Sequence, residues 1–391
     1  MPSRSRLSAS YSAISRLDHL ECARCGRDHD GDVLQNRCAC GGTLLARYDL
    51  TPFELSDVRA RPPGMWRYRE LLPVRGEPVS LGEGPTPLLP APRLSERFEV
   101  EVFVKDDGPL PSGTFKARGA AAGLSRAAEL GADAVVMPSA GNAGAAWSLY
   151  AARAGVSMTV TMARSAPEAN KDEVRLAGAE LVEVDGTLAD AAARARELSA
   201  ETGAFLASTF AEPYRVEGKK SAWLECFDQL GRLPGTVVTS VGGGVAAVAC
   251  AKAVEEVTAL GWFDSDGPAI VGVQADGCAP IVRAFEAGAD RAEPWSEVHT
   301  IAAGLRVPAP SEADLVLDVV RASGARMVAV SDDDIRRSVA ELASLEGILV
   351  CPEGATTVAG LAAIATEASL RGPVVLYNTG AAGKYLDALT R

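Results

Sequence analysis

The chain has 391 residues, too many for one hydrophobic core of ordinary size, so two or more domains are expected. Hydrophobic residues make up 47% and charged ones 23%, a globular composition that excludes a disordered chain. A net charge of −12 argues against nucleic acid as a partner, and no apolar run approaches the length of a membrane span.

Residues 1–16 are rich in Ser and Arg, with no apolar signal segment behind them, so they read as a flexible N-terminus of a cytoplasmic protein. Residues 17–50 carry four of the eight cysteines, in Cys22-Ala-Arg-Cys25-Gly and Cys38-Ala-Cys40-Gly. Two short knuckles, each followed by glycine, can set Cys22, Cys25, Cys38 and Cys40 around one structural zinc. His19 or His29 is near enough to replace one thiolate, and a metal-free cysteine loop is the bland alternative. Residues 51–80 hold several prolines and the run Met65-Trp66-Arg67-Tyr68, a connecting strap onto the main body. In Leu81-Gly-Glu-Gly-Pro-Thr-Pro-Leu88, two prolines and two glycines exclude a helix.

Beyond residue 100 the strand and helix periods alternate. Strands are predicted at Val100–Val104, Ala134–Met137, Ser157–Thr161, Ala179–Val184, Thr236–Thr239, Ala269–Val273, Met327–Val330 and Val374–Tyr377. Helices are predicted at Ala145–Ala152, Leu188–Glu201 and Ala247–Val257. This alternation indicates an α/β fold of parallel sheets with helices on both faces, whose sites lie at the carboxyl ends of the strands. Asp332-Asp333-Asp334 reads as a helix N-terminus capped by Ser331. Cys226, Cys250, Cys278 and Cys351 read as reduced core residues.

Four segments carry the chemistry. Pro111-Ser-Gly-Thr-Phe-Lys116-Ala-Arg-Gly119 is a turn, then a lone lysine, then a helix. An amine held there suits Schiff-base chemistry with an aldehyde cofactor; an ordinary surface lysine at a helix start is the other reading. Pro138-Ser139-Ala140-Gly141-Asn142-Ala143-Gly144 sits between strand and helix, where backbone N–H groups point at a carboxylate or phosphate. A capped tight turn explains it equally well. Ser240-Val241-Gly242-Gly243-Gly244-Val245 lets the backbone approach a phosphate closely, and is neither a Walker loop nor a dinucleotide fingerprint. Leu376-Tyr377-Asn378-Thr379-Gly380 closes the last strand, and Thr379 is either a ligand or a strand-end turn.

In that order, these segments resemble the fold-type-II family of pyridoxal phosphate enzymes. The resemblance implies two doubly wound parallel-sheet domains. They would comprise a large cofactor domain of residues 81–120 and 216–391 and a small domain of 121–215. It implies that Lys116 holds pyridoxal phosphate and acts as the general base. Asn142 would sit beside the 3′-oxygen, Gly242, Gly243, Gly244 and Val245 around the phosphate, and Thr379 at the pyridine nitrogen. Substrate contacts would come from Thr114, Ser139, Ala140, Gly141, Ala143 and Arg215. Only three histidines exist and none lies in these loops, so Lys116 stands as the only good base.

Glu212-Pro-Tyr-Arg215-Val-Glu-Gly-Lys219-Lys220 is similar to the Asn-Pro-x-Arg-x-Glu-Gly-x-Lys run of threonine synthases, as is the entry loop Leu81–Leu88. That likeness implies a homodimeric lyase acting on a small amino-acid phosphate, O-phospho-L-homoserine, with Arg215 reading the phosphate. A surface salt bridge is the plainer role for Arg215. Ala117 stands where threonine synthases have Asp, and Met162-Ala-Arg-Ser-Ala-Pro167 looks more like a dehydratase. Ser208-Thr209 replaces the usual Asn-Ser, and Val245 the usual Thr or Asn. Dehydration of Ser or Thr, or replacement on phosphoserine as in cysteate synthase, therefore stays open, as does a non-enzymatic cofactor-binding regulator.

Overall fold

The computed structural model describes residues 15–264, 266–365 and 370–389. Most of the expected flexible N-terminus lies outside the described residues. Its last residue, Arg16, is anchored: its amide donates to the Glu70 carbonyl at 3.0 Å.

Three sheets build the molecule. The first is antiparallel, with β1 (Leu17–Cys22) between β2 (Asp28–Asp30) and β3 (Leu44–Tyr48). It carries the cysteine knuckles. The second has six strands. They are β4 (Leu88–Pro90), β5 (Val102–Asp106), β10 (Thr236–Ser240), β11 (Ala269–Ala275), β12 (Met327–Val330) and β13 (Val374–Asn378). Their order is β12-β11-β10-β13-β5-β4, parallel except for the edge strand β4. The third is fully parallel, in the order β8-β7-β6-β9: β6 is Ala134–Pro138, β7 Ser157–Ala163, β8 Glu180–Val184 and β9 Phe205–Leu206.

The strands form where β-branched residues run together. In the six-stranded sheet, successive side chains feed opposite cores. Val237, Val375 and Tyr377 join one cluster and Val238, Val374 and Leu376 the other. Helices cover both faces, as expected of a parallel sheet. A predicted strand start at Val100 moves to Val102, because the Val100 amide instead closes the preceding turn onto the Ser95 carbonyl at 3.2 Å. The strap carries a short α-helix, Leu55–Arg59, and a 3-10 segment, Met65–Leu71, kinked at Tyr68, with Met65, Tyr68 and Leu71 buried. Ser331 caps its helix reciprocally with Asp334. The expected domain junctions fall at helices: 120/121 lies within Lys116–Glu129, and 215/216 at the start of Arg215–Leu230.

The cysteine sheet is no appendage. Leu20, Leu44 and Tyr48 share a core with Tyr214, Trp223 and Phe227 of the main body. The thiols of Cys22, Cys25, Cys38 and Cys40 converge within 4.8 Å of one another. Neighbouring sulfurs stand 3.5–3.7 Å apart. Four thiolates about 2.3 Å from a tetrahedral ion would be about 3.8 Å apart, so the donor set fits a closed structural metal site. No histidine is needed: His19 turns to Asp18 and Asp28 instead.

Arg118, two residues after Lys116, is wholly buried and ties the layers together. Its Nε and Nη2 donate to Asp107 at 2.9 and 3.0 Å, and its Nη1 and Nη2 to Glu225 at 2.9 and 2.8 Å. Further bonds reach Ser221 and Thr86, each at 2.9 Å. Burial alone would push Glu225 up, but Arg118 and Lys105 outweigh it and hold the carboxyl at about 2. Arg118→Met removes one side of a buried ion pair, which costs about 3–5 kcal/mol. Urea unfolding of this variant is expected to show that loss; a shift below about 1 kcal/mol, the scale of an exposed pair, would show that Asp107 and Glu225 need no cation.

Candidate active site

The lysine turn is sewn to the end of β13. The Phe115 amide donates to the Thr379 carbonyl at 2.9 Å, the Ala381 amide donates to the Gly113 carbonyl at 2.8 Å, and Thr114 pairs with Gly380. Lys116 then opens the helix Lys116–Glu129, so its amine starts from a fixed point. Its Nζ lies 4.7 Å from the centre of the Phe115 ring. Phe115 is itself wedged edge-on against Tyr377, with ring centres 5.9 Å apart. Burial, and next the charge of Arg215, pull the Lys116 amine down from 10.5 to about 8, with Glu353 opposing. It is not an ordinary surface lysine.

Three loops leave the carboxyl ends of strands, and the one after β13 is joined directly to the lysine turn. After β6, the Ser139 hydroxyl accepts from the amides of Gly141 and Gly144 at 3.0 and 2.9 Å. It therefore shapes the loop from within. Ala140 is exposed at the loop's tip, and Asn142 and Ala143 open the helix Asn142–Ala154. The Asn142 amide nitrogen donates to the Tyr385 hydroxyl. After β10, Gly242, Gly243 and Gly244 lead into the helix Val245–Ala259. Gly244 has φ +81°, and a Cβ there would strike Val316 at 2.1 Å; one on Gly242 would meet the Gly304 carbonyl at 2.6 Å. Gly243 faces only the Thr209 methyl, at 3.6 Å. A crowded outer side and an open inner side are what a backbone phosphate cradle needs. After β13, the Thr379 hydroxyl lies 3.7 Å from the Cys351 thiol.

Arg215 is not on the surface. It is 3% exposed, and its guanidinium lies 5.0 Å above the Trp147 ring. Its Nε donates to Glu212 at 2.7 Å and its Nη1 to Thr209 at 3.1 Å; Nη2 is buried without a partner. Glu212 also accepts from the Tyr214 and Arg215 amides, each at 3.0 Å, which locks the turn. The arginine is held rigidly with one donor spare.

Two titratable groups beside Lys116 escaped the sequence reading, which held Lys116 to be the only good base. Glu353, at the start of the helix Pro352–Ala365, accepts from the Gly304 amide at 2.6 Å through Oε1, while Oε2 is unpaired. Burial pushes its carboxyl up. Lys219 is also buried, its Nζ 4.5 Å from the Phe115 ring centre. Glu353 follows Cys351-Pro352 and had no motif to mark it; Lys219 stood in view as an unassigned position of the arginine segment.

Residues 79–380 match the family described as pyridoxal-phosphate dependent enzyme. The chain belongs to this family. It is 35% identical to a threonine synthase of Methanocaldococcus jannaschii over 383 residues, covering 95% of this chain and 94% of that one. It is 35% identical to one of Methanosarcina acetivorans over 349 residues, 88% and 86% of the two chains. Among solved structures, threonine deaminase isoform 2 of Solanum lycopersicum aligns with a TM-score of 0.66 at 25% identity, covering 78% of this chain and 87% of that one. Diaminopropionate ammonia lyase of Escherichia coli aligns with a TM-score of 0.68 at 16% identity, covering 79% and 88%, and bears on the fold alone. The chain is thus a threonine synthase-like pyridoxal-phosphate enzyme of the fold-type-II architecture. The glycine cradle and the perturbed amine fit that cofactor. Among the described residues, no helix is long and apolar enough to cross a membrane.

The depressed Lys116 amine has a direct signature. In cofactor-free protein its acylation rate is expected to rise through pH about 8, while exposed lysines respond only near 10.5. Site-resolved labelling by mass spectrometry reads this. A Lys116 midpoint near the ordinary value would refute the electrostatic picture of the site.

Proposed function

We propose that this enzyme is a lyase that converts O-phospho-L-homoserine and water to L-threonine and inorganic phosphate. The observation that carries the reading is Arg215: buried, clamped by Glu212, and left with a spare guanidinium donor. A planar fork of that kind suits a phosphoryl group. A phosphate-free amino acid gives the spare donor nothing to bind.

Bound pyridoxal phosphate supplies an electron sink for charge formed on the substrate's carbon skeleton. This chain's residues do the rest. The amides of Gly242, Gly243, Gly244 and Val245 bind the cofactor's phosphate at a helix start. Thr379 would offer a neutral hydroxyl to the ring nitrogen, and Asn142, steadied by Tyr385, would hold the 3′-oxygen. Lys116 would hold the cofactor through its amine, and the same amine would take the proton from the substrate's α-carbon. An amine at about 8 is within reach of both protonation states near neutrality, as a general base requires. Thr114, Ser139, Ala140, Gly141 and Ala143 frame the substrate's carboxylate. Arg215 binds the phosphate and stabilises the charge it carries away.

Ala117 and Val245 favour a second reading, β-elimination or β-replacement on serine, threonine or phosphoserine. Arg215 decides between the phosphorylated and free amino acids. Arg215→Ala is expected to lower kcat/KM on the phosphorylated substrate about ten- to a hundredfold, the scale of a charged hydrogen bond. The unphosphorylated analogue should be turned over no worse. Equal losses on both would make Arg215 structural and put the dehydratase reading ahead. Phosphate release from phosphohomoserine and phosphoserine, assayed side by side, separates the remaining two.

We also infer that Cys22, Cys25, Cys38 and Cys40 hold one zinc, because only a tetrahedral thiolate-loving ion matches the sulfur spacing and closed geometry. Metal analysis should find one zinc per chain. Chelation should speed hydrogen exchange in β1–β3 while the cofactor's visible band stays. Protein purified without chelators and free of zinc would sink this assignment.

A further inference from the structure

The interior around Lys116 holds more positive charge than the cofactor uses. Arg215 and Lys219 lie four residues apart on one helix, so their side chains leave the same face. Both run past Gly119: a Cβ there would stand 3.2 Å from the Arg215 Cβ and 3.3 Å from the Lys219 Cε. Lys219 is 4% exposed. Among the described residues, its amine has the Phe115 ring for company and neither a hydrogen-bond acceptor nor a salt bridge, and Glu212 acts on it only through its charge. The acids of this region are engaged elsewhere, Glu212 by Arg215 and Glu353 by the Gly304 amide.

A largely buried amine with no acceptor is costly to charge, and a buried guanidinium nitrogen without one is costly as it stands. Two such groups side by side point to a ligand that supplies the missing charge. The cofactor's phosphate does not need them, since the glycine loop offers it backbone N–H groups. Nor does one carboxylate match both, because two spare cationic donors call for a dianion.

We propose that Lys219 and Arg215 together form the recess that grips the substrate's phosphoryl group. This rests on the reading that the substrate carries a phosphate, and it adds a second binding residue that decides for phosphorylated over free amino acids. Burial, and then the neighbouring charges of Lys116 and Arg215, hold the Lys219 amine well below its ordinary value in the empty recess. A dianion reverses that balance. Binding therefore consumes a proton and weakens as pH rises.

Sulfate is a suitable probe, a tetrahedral dianion that does not itself titrate near neutrality. The holoenzyme is titrated with sulfate by calorimetry, in two buffers of different ionisation enthalpy. Wild type should bind with buffer-dependent heat, the mark of proton uptake. Lys219→Met should bind about ten- to a hundredfold more weakly, with the uptake gone, while the visible cofactor band and the borohydride-fixed label on Lys116 remain. Lys219→Arg, always charged, should keep the affinity and lose the uptake. Unchanged sulfate binding in Lys219→Met would overturn the proposal, as would wild type that binds no sulfate, or a label found on Lys219. If the methionine variant does not fold, the arginine variant decides, and proton uptake persisting there overturns the idea. A wild-type enzyme that binds sulfate through Lys219 yet releases no phosphate from phosphohomoserine or phosphoserine would sink the substrate reading and leave the recess standing.

Discussion

Everything at this site hangs from the Arg118 guanidinium. One side chain gathers the end of β5 through Asp107, the entry loop through Thr86, and the helix Arg215–Leu230 through Ser221 and Glu225. Lys105 adds a second cation to the same knot, donating to Glu225 at 3.1 Å, and the Tyr377 hydroxyl donates to Asp107 at 2.6 Å. Two cations meet two carboxylates, so the cluster is neutral. A buried ionic cluster of this kind adds little net stability over apolar packing, because desolvation offsets most of the attraction. What it does is exclude alternatives. Arg118 satisfies its five donors only if strand, loop and both helices stand in one arrangement, and that arrangement sets Lys116 one half-turn away.

With the helix start fixed, electrostatics take over. Lys116, Lys219 and Arg215 lie close together with Glu353 beside Lys116, and burial together with the neighbouring positive charges lowers the proton affinity of both lysines. The Arg215 Nη2 and the Lys219 amine are left without hydrogen-bond acceptors. Glu353 is kept from pairing with Lys116 by the Gly304 amide and by its own burial, which favours the neutral acid. A carboxylate salt-bridged to Lys116 would raise the amine and spoil it as a base. The same logic explains Glu212: it engages the Nε edge of Arg215 and leaves the Nη2 corner open.

The cysteine sheet reaches the same segment from the other side. The Asn36 amide donates to the Leu206 carbonyl at 2.7 Å, the Thr43 hydroxyl to the Phe210 carbonyl at 2.7 Å, and the Tyr214 hydroxyl to the Gly31 carbonyl at 3.2 Å. Phe210 adopts φ +58°, a strained value for a bulky residue, and the Thr43 bond falls on that residue. Residues 207–214 are irregular backbone that leads from β9 directly into Arg215, and the cysteine sheet gives this stretch and the end of β9 hydrogen-bond partners. The small cysteine sheet thus stiffens the approach to Arg215, a more specific role than covering the core.

What could be read from the amino acids was whatever the local chain carries. Strand, glycine turn and helix around Ser139–Gly144 and Gly242–Gly244 are each a contiguous signal, and so are the cysteine knuckles and the Ser331 cap. What could not be read are the pairings between distant segments. Tyr385 reaches Asn142 across 243 positions, and nothing in either local sequence marks the other. Glu353 sits at an unremarkable Pro-Glu-Gly helix start, and its importance comes from Gly304 closing over it. The edge strand β4 was missed because two prolines flank Leu88-Leu89, yet an edge strand tolerates proline on its free side. Lys219 is the instructive case. Its segment was in view for Arg215, and four-residue spacing alone puts the two on one face. Both it and its neighbour Lys220 are buried, and only the missing acceptor sets Lys219 apart. Lys220 points the other way, into Glu217 and Glu256 at 2.6 and 2.8 Å, and is neutralised there. Two adjacent lysines, one satisfied and one not, differ by a turn of about 100° around the helix axis, and that turn separates a structural ion pair from a ligand-seeking charge.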